Sequence, residues 1–180
     1  DGYICWINLD GLIIEKYELR KNENLNNENF FIQDKIPFIL KWIKDQAELT
    51  NEYLWGGTLG PNFDCSGLIQ TAFFKHHIYI PRDSYQIKGF CKHLFYFKES
   101  YADLEPGDLL FFGNEEKCDH IGIYKGDGLY YHSSGKNFGR NGIGLDTLKN
   151  SNDKISLHYK SKLISTGRVL RSYRWDRTIR

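Results

Sequence analysis

The stretch from Tyr53 to Gly67, YLWGGTLGPNFDCSG, constrains this chain more than any other. Gly56, Gly57, Gly60 and Pro61 mark a loop, and the loop delivers Asp64, Cys65 and Ser66 to the front of an apolar run, LIQTAFF, with helical spacing. A thiol therefore stands at a helix N-terminus, where exposed backbone N–H groups and the helix dipole favour negative charge. The expectation is a cysteine of depressed pKa, partly thiolate and nucleophilic.

Two histidines downstream complete a constellation with it. His120 in DHIGIY and His132 in LYYHSSG flank KGDG at residues 125–128, which is hairpin punctuation. A three-residue loop pairs Tyr124 with Gly128 and sets His120 directly opposite His132; a four-residue loop moves the register by one. Opposed residues of an antiparallel pair have Cβ atoms about 4.5 to 5.5 Å apart, so one ring can hold the tautomer and orientation of the other. Nucleophilic catalysis needs a thiol, a base and an orienting group, with His120 as base and His132 as orienter. A structural zinc site is the rival reading, with Cys65, Cys118, His120 and His132 as four ligands. Cys118 and His120, two apart on a strand or its approach, need a distorted backbone to converge. Among four cysteines and six histidines some such grouping arises by chance, and spacing alone leaves both readings open.

The remaining pattern is α+β. A helix is expected from Pro37 through Gln46, with Ile36, Leu40, Ile43 and Ala47 on its apolar stripe, and a second from Cys65 to near His76 and His77, at its solvent end. Past Pro81 the chain reads as strands: LEPGDLLFFG (104–113), HIGIY, LYYHSS, GIGLDTL, and finally ISLHY and GRVLRSY. Helices ahead of an antiparallel run make one main unit over residues 31–180. Residues 1–16, DGYICWINLDGLIIEK, are strand chemistry around a tight turn and read as the closing part of a small β-barrel; residues 17–30 read as a polar linker. With 180 residues there is room for one full core and a small satellite. The chain has no methionine and opens inside a strand pattern at Asp1, which reads as a fragment or a processed form.

Charge excludes some partners. Lysine and arginine total 24 against 23 acidic residues, so nothing here calls for a nucleic acid. No apolar run approaches the ~18 residues of a transmembrane helix. Cys5, Cys65, Cys91 and Cys118 contain no C-x-x-C pair and read as reduced thiols, with Cys5 and Cys118 as small buried hydrophobes in strands and Cys91 similar.

YLWGG, then DCSG, IPRDSYQ, LEPGDLLFF and DHIGIYKGDGLYYHSSG, in that order over about residues 35–173, resemble the NlpC-type family of papain-like cysteine peptidases, which cut bacterial cell-wall peptides. GRNGIGLD and GRVLRSYRW look like its cyanobacterial branch, the γ-D-glutamyl-L-diamino acid endopeptidases, in which an SH3-like barrel precedes the catalytic domain; GYICWINLDGL is similar to the closing strands of that barrel. The resemblance implies a papain-like fold with the nucleophile Cys65 at a helix start, His120 as general base and His132 as orienter. It implies an oxyanion hole formed by the Tyr53 hydroxyl and the backbone N–H of Cys65. It also implies a cleft lined by Asp64, Ser66, Arg82, Asp83 and Ser84, in which Asp64 pairs with the free amine of an N-terminal L-alanine. For Tyr53 and Trp55 the alternative is ordinary core packing, the stronger reading for Trp55; for Arg82 and Asp83 it is an internal ion pair that braces the loop.

The partner so implied is a peptidoglycan stem peptide, L-Ala-γ-D-Glu-diamino acid, where the diamino acid is diaminopimelate or lysine, cut through a thiolate–imidazolium pair without metal or organic cofactor. The implied setting is bacterial: cytoplasmic for a recycling enzyme, cell envelope or secreted otherwise. An amidase or transacylase on the same fold, and a non-catalytic wall-peptide binder, are the alternatives; a binder would be expected to lose the thiol or the base.

Overall fold

Helix α1 runs from Leu25 to Ala47 and buries Ile32, Ile36, Ile39 and Ile43, spaced four, three and four apart. It begins well ahead of Pro37, the expected first turn, so Pro37 lies inside the helix and residues 25–30 of the segment read as linker are helical. Ile32 adds a turn to the apolar stripe, and packing of that stripe outweighs the cost of an internal proline. A computed structural model describes residues 25–172 apart from 95–100, 102, 115, 138 and 150, with the backbone alone for 25–30. The expected barrel remnant at 1–16, Cys5 within it, and residues 17–24 lie outside the described residues.

The loop after α1 contains a short hairpin, β1 (Thr58–Leu59) and β2 (Asn62–Phe63), and leads into α2 (Cys65–Phe74). Asp64 caps α2, its carboxylate accepting the Gly67 N–H at 2.6 Å. Leu68, Ile69, Ala72 and Phe73 are fully buried, and each of the larger three contributes roughly 1.5–3 kcal/mol of burial. After Pro81, where strands were expected, Ser84–Phe90 form α3. The Asp83 N–H donates to Gln86 Oε1 at 3.2 Å, which starts the helix, and Ile87 and Phe90 turn inward three residues apart.

Six antiparallel strands follow: β3 (Lys92–Leu94), β4 (Leu109–Gly113), β5 (Cys118–Gly126), β6 (Leu129–Ser134), β7 (Gly142–Thr147) and β8 (Leu163–Arg168), in the order β3-β8-β4-β5-β6-β7. ISLHY, expected as a strand, belongs to α4 (Lys154–Lys162). Its alternation of apolar residues imitates a strand, but Asp153 caps the segment by accepting the Ser156 N–H at 2.8 Å, and Ser156 and Tyr159 face inward at helical spacing. The last strand comes earlier than GRVLRSY, sharing only Gly167 and Arg168 with it.

Alternate residues of the sheet feed two cores. Leu109, Phe111, Ile121, Ile123 and Tyr131 pack with α1, α2 and α3, whereas Leu110, Phe112, Tyr124 and Tyr130 pack with Leu148, Leu163 and Tyr159 of α4. The β4 turn is pinned to β8 by Arg168, whose Nε and Nη2 donate to the buried carboxylate of Asp108 at 2.7 and 3.0 Å. Among the described residues, no helix is long and apolar enough to cross a membrane.

Candidate active site

Strand β5, which carries the expected base His120, runs past the expected nucleophile. Cys65 is the first residue of α2, and the backbone N–H groups of Ser66 and of Ile121, the residue after His120, are directed at its thiol. Cys65 is thus set against the position of β5 that follows His120.

The hairpin closes with two residues, rather than the three or four expected. Asp127 and Gly128 have φ of 56° and 77°, as a tight turn matched to strand twist requires, and the register shifts at Lys125. Tyr124 pairs with Tyr130 and Ile123 with Tyr131; continuing that register places His132 across from Gly122, not from His120. His132 in turn lies opposite Gly144. Each histidine therefore reaches its partner diagonally, over a position without a side chain. A Cβ on Gly122 would sit 2.9 Å from the Tyr130 ring. His120 Nε2 meets His132 Nδ1 at 2.7 Å, and His132 Nε2 meets Asp146 Oδ2 at 2.6 Å. Because the imidazoles engage one another, they do not converge on a common point as the zinc reading needs. Among the described residues no cluster of three or more histidine, cysteine or acidic side chains is arranged to hold a metal.

Asp146, Arg140, Ser156 and Tyr159 were not among the expected site residues. Arg140 grips Asp146 Oδ1 through Nη2 and, at 3.2 Å, Nε, and also reaches Asp153 Oδ2 at 2.6 Å. Ser156 Oγ donates to Asp146 Oδ1 at 3.1 Å. Tyr159 stacks on His120, ring centroids 4.5 Å apart, and stands edge-on to His132 at 4.6 Å. Hydropathy points the wrong way along β7: Leu145 is 42% exposed and Asp146 2%. Arg140 and Asp146 do belong to the GRNGIGLD motif, which was the available signal.

Burial decides the charge states. The thiol of Cys65, expected to be depressed, is pushed up to about 12 by desolvation and then by the charge of Asp64; the N–H groups of Ser66 and Ile121 and the Arg82 guanidinium oppose this without prevailing. Desolvation also drives His120 well below the ordinary histidine range, helped by His132, His158 and Lys162 and opposed by Asp146. His132 is lowered by burial against the pull of Asp146. The carboxyl of Asp146 sits at about 2: burial would raise it, but hydrogen bonds from His132 and Arg140 outweigh that. Burial thus disfavours both charges of the expected thiolate–imidazolium pair.

The expected cleft residues divide. Asp64, Ser66 and Arg82 are brought together and enclosed: Arg82 Nη1 donates to Asp64 Oδ1 at 3.1 Å and Ser66 Oγ at 2.7 Å, and Nη2 to Asp64 Oδ2 at 2.5 Å. Gly56 N–H also donates to Asp64 Oδ2, at 2.9 Å. Both oxygens of Asp64 are engaged, so an incoming amine would have to displace one of these donors. The internal ion pair of Arg82 is with Asp64; Asp83 caps α3 through Gln86. Ser84 Oγ donates to the Cys118 carbonyl at 3.1 Å, bracing the start of β5. Tyr53 is half-buried, and its hydroxyl is pushed above its ordinary range by burial and then by the charges of Cys65 and Asp64, so it stays a donor. Trp55 is 81% exposed, and core packing does not account for it. Cys65, Cys91 and Cys118 are free and buried, Cys118 at the start of β5 as expected.

The model of the NlpC/P60 family matches residues 50–161. A probable endopeptidase of Mycobacterium tuberculosis is 40% identical over 92 residues, 49% of this chain and 22% of that protein. The gamma-D-glutamyl-L-lysine dipeptidyl-peptidase of Bacillus subtilis is 39% identical over 84 residues, 45% of this chain and 27% of that one. The chain thus spans about a quarter of the length of the curated relatives it matches. A crystal structure of an NlpC/P60 family protein from Bacillus cereus superimposes with a TM-score of 0.51 at 30% identity, covering 66% of this chain and 35% of that one.

Proposed function

The chain belongs to the NlpC/P60 family, and from that premise we propose that it is a cysteine peptidase that hydrolyses the bond between γ-D-glutamate and the diamino acid of a peptidoglycan stem peptide. The observation that carries the reading is the line of groups ending at α2: a thiol at the helix N-terminus, set against the strand residue after His120, whose ring is held by His132 at 2.7 Å. The name of the Bacillus subtilis relative supplies the bond: it is a γ-D-glutamyl-L-lysine dipeptidyl-peptidase.

With Nε2 of His120 engaged by His132, Nδ1 is the nitrogen that takes the Cys65 proton as sulfur attacks the γ-glutamyl carbonyl. Because burial disfavours both the thiolate and the imidazolium, this transfer accompanies the attack. The backbone N–H of Cys65, at the front of α2, and the Tyr53 hydroxyl donate to the oxyanion as it develops. His120 returns its proton to the leaving amine of the diamino acid, which departs and leaves a thioester on Cys65. Water, deprotonated by His120, then attacks the thioester and releases the γ-glutamyl acid and the free thiol.

The test is to incubate the protein and its Cys65→Ala variant with L-Ala-γ-D-Glu-diaminopimelate and with the lysine analogue, and to follow products by mass spectrometry. The native chain is expected to release L-Ala-D-Glu and the variant to release none. Turnover by Cys65→Ala overturns the nucleophile, and hydrolysis of a different amide bond overturns the substrate.

A further inference from the structure

We propose that Asp146, backed by Arg140, is a positioning residue that fixes the tautomer of both histidines and so makes Nδ1 of His120 the only proton-accepting ring atom available to Cys65. The inference rests on the peptidase reading above and extends it to a residue that touches neither substrate nor thiol.

An ionised carboxylate only accepts, so the ring nitrogen 2.6 Å from Asp146 Oδ2, His132 Nε2, carries a proton. In a neutral imidazole the other nitrogen then holds a lone pair, which makes His132 Nδ1 an acceptor. Its partner at 2.7 Å, His120 Nε2, must therefore be the donor, and His120 Nδ1 is left unprotonated. Two imidazoles linked to each other can be polarised in either direction. In the reverse direction His120 Nδ1 carries the proton and cannot take one from a thiol. A fixed negative charge at the far end selects the productive direction.

The surroundings hold that charge in place. Asp146 receives Arg140 Nη2 and Nε and Ser156 Oγ, and Arg140 is tied to Asp153, the cap of α4. Helix α4 thus carries both a clamp for the carboxylate, Ser156, and the ring that covers His120, Tyr159. Glycines across from His132 on both neighbouring strands leave the diagonal path clear. Among the described residues, the groups whose charge acts on His120 include His132 on β6, Asp146 on β7, and His158 and Lys162 on α4, with Tyr159 of α4 stacked on its ring. Among these, Asp146 alone raises the affinity of His120 for a proton; His132, His158 and Lys162 lower it.

Two measurements test this. Nitrogen-15 NMR of the histidine rings in the unmodified protein at neutral pH reads the tautomers directly and needs no substrate, so it remains decisive whatever peptide the enzyme cuts. Both His120 and His132 are expected as Nε2–H; finding either as Nδ1–H overturns the proposal. Asp146→Asn is expected to mix the tautomers, to lower kcat roughly 10²- to 10⁴-fold with KM within about twofold, and to move the acid limb of the pH–rate profile to lower pH, because the imidazolium loses its counter-charge. Wild-type kcat with an unmoved acid limb in that variant also overturns it. Should the variant fail to fold, the tautomers of the unmodified protein decide alone. Failure of the peptidase reading would appear separately, as absence of turnover with the expected tautomers intact.

Discussion

Arg82 lays its guanidinium across both carboxylate oxygens of Asp64, the residue immediately before Cys65, at 3.1 and 2.5 Å. Eighteen residues separate the two in the chain, and their side chains are only 5% and 9% exposed. The same carboxylate caps α2 and collects the Gly56 N–H, so one buried group ties the loop ahead of Cys65, the helix start and the PRDS segment together.

Removing Arg82 leaves that carboxylate buried and without its counter-ion. Arg82→Ala is expected to cost about 3–5 kcal/mol, read from urea denaturation. Arg82→Lys keeps the charge but not the two-pronged geometry and should fall between. A loss below about 1 kcal/mol in Arg82→Ala would show that the pair does not hold the loop.

The thiol of Cys65, raised to about 12 by burial, gives a labelling prediction. Alkylation by iodoacetamide in the free protein should climb with pH from 7 to 10, by up to roughly tenfold per pH unit, because the reactive thiolate is the minor form over that range. A rate already level below pH 7 would instead reveal a preformed ion pair.

The folded pKa of Asp146, about 2, lies below the value of an unfolded aspartate, about 3.9. A depressed carboxyl contributes stability that is complete above the unfolded pKa and is lost as pH falls through the folded one. About 2 kcal/mol should therefore be present at pH 6 and fade between pH 4 and pH 2. Urea midpoints of the native chain and Asp146→Asn across that range should converge at the acid end; a constant difference would contradict the assignment.

Trp55 stands mostly in solvent on the loop that leads to Cys65. Trp55→Ala should change stability by no more than about 0.5 kcal/mol in thermal unfolding, as for other exposed positions. A loss of several kcal/mol would restore the core-packing reading.

What was legible in the sequence is what short-range physics writes there. The loop glycines and the 3.6-residue stripe placed the start of α2 at Cys65, and hairpin punctuation joined β5 to β6, because turns and periodicity act within a few residues of one another. The same local rules failed where two of them competed. ISLHY alternates like a strand yet coils as α4 because its cap at Asp153 precedes it, and a one-residue irregularity at Lys125 moved the histidines from facing to diagonal.

The sequence by itself determined that a thiol, and two histidines on one hairpin, would belong to an α+β unit. Only the tertiary structure decided what surrounds them: that Cys65 and His120 are buried where charge is disfavoured, that Asp64 is occupied by Arg82, and that Asp146 lies behind His132. Desolvation and charge pairing depend on which distant segments close over a site, and no run of neighbouring residues records that.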